Sequence, residues 1–504
     1  MAVTVGPNGE LIASDEQDKG LFKIKVSGDT DHPAVETEKL SIPISGAQGL
    51  EWTNGYLYLN VNGKGIFRAK YNQNSGRFDV LESLGGPAFA SEHGNHAVVK
   101  GKNNRDLYVV NGSYTPPPEL TSSRVKNWDE DILLPRIDDV LGHAKGITAP
   151  GGYIVRTNPE VTEWEMISIG YRNTYDIAIS QNGDIFTYDS DMEWDMGMPW
   201  YRPTRVIHAV SGSDFGWRNG SGKWKEYYED SLPPLLNVGP GSPTGLLFGT
   251  NAKFPGKYQH ALYGLDWTFG TIYAFHLIPD GSSYKVEAEE FLSGAPLPLT
   301  DAVIGNDGHL YFLTGGREKQ SVLYRIIYTG TEPTAKAGGL QMNPKTKQAH
   351  ELRQQLEAFH GQEDPEAIQK AWAHLNSNDR FLRHAARVAI EWQPVSEWAE
   401  KALNENKSQA RITALVALAR SESDEYRYRA IDSLLELKFD SLNPMQKLGY
   451  LRAASLIFMR LGDPTDDQSS ELKETLLAQL PHQDERVNTE LIRILVYLEE
   501  PRVI

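Results

Sequence analysis

Along residues 3–328 apolar residues come in short runs, rich in Val, Ile, Tyr and Trp and broken by glycine and polar turns, which predicts short antiparallel strands. One unit recurs: an apolar strand, a tight Asn/Asp-Gly turn and a second apolar strand. It reads Val3-Thr4-Val5-Gly6-Pro7-Asn8-Gly9-Glu10-Leu11-Ile12, then Ile177-Ala178-Ile179-Ser180-Gln181-Asn182-Gly183-Asp184-Ile185-Phe186, then Ala302-Val303-Ile304-Gly305-Asn306-Asp307-Gly308-His309-Leu310-Tyr311. Looser copies cover residues 50–59, 97–110 and 246–265. A third strand follows each, as in Gly20-Leu21-Phe22-Lys23-Ile24, or in the fourth copy Asp214-Phe215-Gly216-Trp217. Six copies of roughly 45 to 80 residues, against about 40 to 50 for a compact blade, predict a six-bladed β-propeller over residues 1–329, with insertions at 112–149 and 192–204. The sixth copy offers three strands ending near Tyr328. Its fourth must come from the chain after Thr329, or the sheet keeps an unpaired edge.

Residues 330–342 contain Gly, Pro and Thr in a linker-like run, and beyond them the apolar period changes to three and four. Asp379-Arg380-Phe381-Leu382-Arg383-His384-Ala385-Ala386-Arg387 and Gln409-Ala410-Arg411-Ile412-Thr413-Ala414-Leu415 each open a helix on polar residues. The fold class is therefore a multidomain β plus α chain, with a HEAT-like α-helical solenoid over residues 343–504 whose repeats bury their faces only by stacking. Arg380, Arg383 and Arg387 read as hydrogen bonders between repeats. The chain stops at Ile504 directly after a helical pattern with no polar cap, which suggests further repeats.

Composition narrows the function classes. At 504 residues two or more domains are expected. With 50 Lys+Arg against 67 Asp+Glu, a net charge of -17 argues against nucleic acid or an anionic membrane as the main partner. No apolar run reaches membrane-spanning length, and the first residues lack the basic-then-apolar pattern of a signal peptide. Zero Cys excludes disulfides, thiolate metal sites and covalently attached c-type haem within these residues.

The densest chemistry lies at Gly170-Tyr171-Arg172-Asn173-Thr174-Tyr175-Asp176, Tyr188-Asp189-Ser190-Asp191-Met192-Glu193-Trp194-Asp195 and Trp200-Tyr201-Arg202-Pro203. So many carboxylates, Arg and aromatics cannot all be buried unpaired, so the tract reads as the wall of a polar site. Followed by Ser213-Asp214-Phe215-Gly216-Trp217, Gly241-Ser242-Pro243-Thr244-Gly245 and Lys253-Phe254-Pro255, it resembles the glucose/sorbosone dehydrogenase family of pyrroloquinoline-quinone propellers. The likeness is greatest to a branch common in planctomycete and verrucomicrobial bacteria, where helical repeats follow the propeller.

That resemblance implies a base, a cofactor and a metal. Glu92-His93-Gly94-Asn95-His96-Ala97 matches the family's motif with His93 as base; the usual basic residue four places on is Ala97 here, a departure. Arg172-Asn173 matches the pair set against the quinone, with His96, Arg202 and Arg317 as further cofactor contacts. Asp189, Asp191, Glu193 and Asp195 occupy the region of the calcium loop, and hard carboxylates suit Ca2+. Asp176, Trp194, Trp200, Tyr201, Asp266, Trp267 and Asp301 would meet a carbohydrate or polyol, rings on its apolar faces and carboxylates on its hydroxyls. The resemblance also implies a periplasmic or secreted location and a cytochrome c acceptor outside this chain.

Three readings follow: a quinoprotein oxidoreductase acting on a sugar or polyol; a metal-dependent glycan or lactone hydrolase or lyase, with Asp191 or Glu193 on the metal and His93 as base; and a non-catalytic carbohydrate- or protein-binding propeller with a solenoid scaffold. His93, Arg172, Asn173 and at least one of Asp191 and Glu193 are expected at one mouth of the channel, where propellers gather the starts of their innermost strands.

Overall fold

The computed structural model describes residues 1–15, 19–28, 32–139, 141–190 and 201–503. Six sheets are arranged as a propeller. Their innermost strands are Val3–Val5, Ala47–Thr53, Asn95–Lys100, Ile177–Ile179, Pro243–Phe248 and Leu299–Ile304. Each blade runs outward through antiparallel neighbours because the apolar alternation buries both faces of the inner strands against adjacent blades, whereas outer strands such as Pro33–Lys39 are exposed along their length. The ring closes where the Val3 amide donates to Asp301 Oδ2 at 2.7 Å, joining the first blade to the sixth.

Two details differ from the sequence expectation. The third strand of the fourth blade is Thr204–His208, not the tract at Asp214. Ser213–Asp214 instead pairs in parallel with Trp164–Tyr171 of the third blade, where Ser168 and Ser213 hydroxyls meet at 2.7 Å. Among the described residues the sixth sheet keeps three strands, leaving Val322–Ile326 on its edge. The segment after Thr329 does not add a strand; it runs past the fifth blade, where Gln259 bonds the carbonyls of Thr334 and Ala335.

The first helix of the C-terminal part is Pro344–Glu357, with the Asn343 side chain capping the Thr346 amide and Pro344 in the first turn. The helices Arg380–Glu391, Ser408–Arg420, Pro444–Arg460 and Glu485–Tyr497 pack side by side as one layer, and Ala367–Trp372, Ala399–Leu403, Arg427–Leu435 and Asp466–Leu477 form a second. Their Ala and Leu side chains build one continuous core. No described helix is long and apolar enough to cross a membrane.

Arg380 and Arg383 of the first layer reach out of the helical part, whereas Arg411 and Arg420 bond between helices, to Ser433 and Glu391. Arg380 donates to the carbonyls of Tyr228 and Ser231, and Arg383 pairs with Glu229 at 2.5 Å. Both residues are therefore tethers to the propeller, a correction to the inter-repeat reading. Arg387 stays within its own helix, on Glu391 and His384. The helical part also meets the turn residues Asp184, Ser211 and Ser282, which lie at the strand ends opposite to those lining the candidate site below.

Candidate active site

Where the innermost strands begin, a cavity of about 490 Å³ opens on the propeller axis, lined among others by Gln48, Lys64, Glu92, His93, Arg172 and Asn173. Two glycines let the chains approach closely enough. Gly112, at the end of the third blade's second strand, lies where any Cβ would strike the Asn173 side chain and the His93 carbonyl. Gly170 has φ 82° and a Cβ there would collide with Asp214, so this left-handed kink, open to glycine, starts the turn into Arg172. Between blades, Ser113 N bonds Arg172 O and Ala97 N bonds Tyr175 O, bringing the His93 and Arg172 segments together.

A recurring polar residue fixes these strand starts. The second strands of the first, third, fourth and fifth blades end in Ser14, Asn111, Asp189 and Asp266. Ser14 Oγ accepts from Ala2 N, Asn111 from Asn95, and Asp266 from the amides of Ser242 and Phe269. Asp189 does most: its oxygens accept from the amides of Arg172 and Asn173, the Thr174 hydroxyl and, at 2.7 Å, the Arg205 guanidinium. A fully buried carboxylate satisfied in this way is an anchor, which removes Asp189 from the metal group and Asp266 from the substrate group.

His93 is buried, with Nδ1 3.0 Å from Ser113 Oγ and its ring against Tyr114. Burial, and then the charge of Arg172, hold its pKa well below the usual imidazole value, so the ring is neutral and Nε2 is left for the cavity it lines. His96 is fully buried behind Asn173, stacked on Tyr175 at 4.4 Å. Burial lowers it to about 4. Asn173 Nδ2 is committed to the Glu92 carbonyl, so its Oδ1 accepts from His96 Nε2–H at 2.7 Å, and the neutral ring requires Gln48 to turn an amide N–H toward Nδ1. His96 therefore positions Asn173 and does not itself line the cavity.

One participant escaped sequence reasoning. His143, from the 112–149 insertion, sits edge-on to His93 with ring centroids 5.4 Å apart and accepts a 3.2 Å hydrogen bond from Arg172 Nη2 at Nε2. Burial, then Arg172, lowers it to about 4. Nothing around Leu141-Gly142-His143-Ala144 carries a motif; only its place in a long insertion next to the His93 blade could have drawn attention.

The remaining candidates divide. Arg317 and Trp267 line the cavity, the guanidinium lying over the indole at 5.1 Å and Trp267 Nε1 donating to Gly315 O. Arg202 is buried beside Arg205, away from the cavity lining, and burial followed by that neighbour lowers it to about 10. Tyr201 is half-buried and also outside the lining. Asp176 and Asp301 are not at this mouth: they line a separate cavity of about 410 Å³ at the other end of the channel, where Asp176 also accepts from Leu246 N of the next blade. Burial pushes Asp301 up to about 6, and burial together with Asp301 pushes Asp176 well above the carboxylate range. Asp191, Glu193, Trp194, Asp195 and Trp200 lie outside the described residues.

No family model and no curated protein sequence matches this chain. Solved structures with a similar course are sugar dehydrogenases of the pyrroloquinoline-quinone type. The PQQ-bound aldose sugar dehydrogenase of Streptomyces coelicolor aligns with 64% of this chain and 92% of its own, at 14% identity and a TM-score of 0.41. The soluble aldose sugar dehydrogenase of Escherichia coli in its apo form covers 62% and 92%, at 15% and 0.43. A streptogramin B lyase also aligns, over 62% and 89%, at 10% and 0.32. At such values the propeller rests on the strand pairing described above, and the chemistry on the side chains.

Proposed function

We propose that the cavity is the active site of a quinone-dependent oxidoreductase that oxidises a hydroxyl of a sugar or polyol. The observation that carries this reading is the neutral, buried His93 on the same wall as Arg172 and Asn173. The side chains suit pyrroloquinoline quinone, an anionic tricarboxylate with adjacent carbonyls. Arg172, Arg317 and Lys64 bring positive charge to a cavity within the range of small-molecule sites, and Asn173 and Gln48 bring amides. When bound, the quinone supplies the acceptor for the hydride leaving the carbinol carbon. His93 Nε2 takes the hydroxyl proton as that C–H bond breaks, and a neutral imidazole is the form able to do so. Arg172, steadied by Asp189 at its backbone and His143 at its guanidinium, presents donors to oxygens that gain negative charge. Trp267 gives a sugar ring an apolar face. Asp189 does not fit a calcium ligand, so no step is drawn through Ca2+.

Purified full-length chain, reconstituted with pyrroloquinoline quinone with and without Ca2+, should bind the quinone and reduce a dye with at least one member of a sugar and polyol panel. Absence of quinone binding under both conditions would overturn the reading.

A further inference from the structure

Glu92, His93 and His143 each offer one ligand atom, and these atoms lie within 4.8 Å of one another; no other trio of His, Asp and Glu among the described residues does so. The set is chemically mixed and comes from two segments, the approach to the third blade's innermost strand and the 112–149 insertion. The His93 ring is oriented from behind, Nδ1 against Ser113 Oγ at 3.0 Å, and a hydrogen bond at the far nitrogen is how metal-ligating imidazoles are commonly held. The two imidazoles meet edge to face at 74°, so they do not stack, and a nitrogen of each lies within 4.8 Å of the other and of a Glu92 oxygen. Glu92 and His93 also line the cavity, so positions opposite the protein ligands face open space.

We propose that Glu92, His93 and His143 bind one divalent transition-metal ion of the zinc class, with its remaining positions open to the cavity. Two imidazoles and one carboxylate form a common donor set for such ions, borderline in softness and content with four or more ligands. Metal–ligand bonds of about 2.0–2.2 Å place tetrahedral ligand atoms roughly 3.4 Å apart. The trio lies within 4.8 Å, and the exposed Glu92 is the member free to adjust to such a spacing.

Arg172 sets the terms of binding. Its guanidinium donates to His143 Nε2 at 3.2 Å, so an incoming cation must release that hydrogen bond or use the other nitrogen, and is repelled by the same charge. Metal and the arginine therefore compete for one histidine. On the oxidoreductase reading above, the metal also occupies the nitrogen that takes the hydroxyl proton, so the metal-loaded chain would be its inactive form; the binding itself does not depend on that reading.

Calorimetric titration of the metal-free full chain with Zn2+, and visible absorption with Co2+, test the site without any enzymatic assay. One equivalent is expected to bind. His143→Ala should abolish it, and Glu92→Gln should weaken it by at least about 10-fold, the lower end of what even an outer ligand partner contributes. Arg172→Ala should tighten it. Glu92 is exposed, so its variant keeps the fold, which melting curves check. Failure of the wild-type chain to take up one equivalent, binding indifferent to both Glu92→Gln and His143→Ala, or weaker binding in Arg172→Ala would overturn the proposal.

Discussion

Two arginine-bearing regions of this molecule use the same residue types to opposite ends. At the junction with the helical part, Arg452 grips Asp230 with two bonds of 2.7 and 2.8 Å, Arg353 meets Asp184 at 2.6 Å, and Arg460 meets Asp131 at 2.8 Å. Every one of these charges is neutralised by another side chain. At the axial cavity, buried Arg172 is held by its backbone and by a neutral histidine, and among the described residues no carboxylate pairs with its guanidinium or with that of the exposed Arg317, which lines the same cavity. Burial alone therefore does not separate architecture from chemistry. What separates them is whether the charge has already found its counterion inside the protein.

The largest expected effect breaks the first region. Arg452→Ala leaves Asp230 buried beside the more distant Arg420, and should cost about 3–5 kcal/mol in chemical denaturation. A cost below about 1 kcal/mol, the range of surface pairs, would erase the contrast. Asp189→Asn comes next, at about 1.5–3 kcal/mol, because it removes the charged acceptor from Arg205 and from the Arg172 segment. It should leave Ca2+ uptake unchanged; loss of Ca2+ binding at undiminished stability would return Asp189 to the metal group.

Smallest per pH unit is a slope with pH. Burial lowers His208, which bonds Ser283 and Asp184 at the junction, to about 4, and lowers His360, on Ser211 and Ala385, to about 3. Both rings are neutral in the folded chain, whereas an unfolded imidazole charges below about 6.5. Stability is thus lost as pH falls from about 6.5 toward 4, by at most about 1.4 kcal/mol per pH unit for each group. His208→Gln should flatten the dependence of melting temperature on pH in that window; an unaltered slope would detach His208 from it.

Legibility in the sequence followed the same division. Six turns of the strand-turn-strand unit and the change of period near Asn343 are local patterns, and the propeller and the helices follow them. His93, Arg172 and Asn173, 80 residues apart at the extremes, converge because strand starts gather around the axis whatever lies between them. The carboxylates were harder to place. Asp189, Asp266 and Arg317 are alike in sequence, each polar residue near a strand end, yet the first two turn inward to amides and the third turns to the cavity, a difference of side-chain direction that no spacing encodes. His143 was invisible because its neighbours are brought by the tertiary course of an irregular insertion. Arg380 and Arg383 looked like solenoid residues because their true partners, at 228–231, lie some 150 residues away.

On the oxidoreductase reading, His93 acts on substrate while Arg172 holds the cofactor. Quinone affinity and turnover measured together on His93→Ala and Arg172→Ala, each at matched stability, separate the two roles. His93→Ala should lower turnover by on the order of 10²- to 10⁴-fold with quinone affinity unchanged, and Arg172→Ala should weaken quinone binding. Full turnover in His93→Ala, or quinone affinity untouched in Arg172→Ala, would overturn that division of roles.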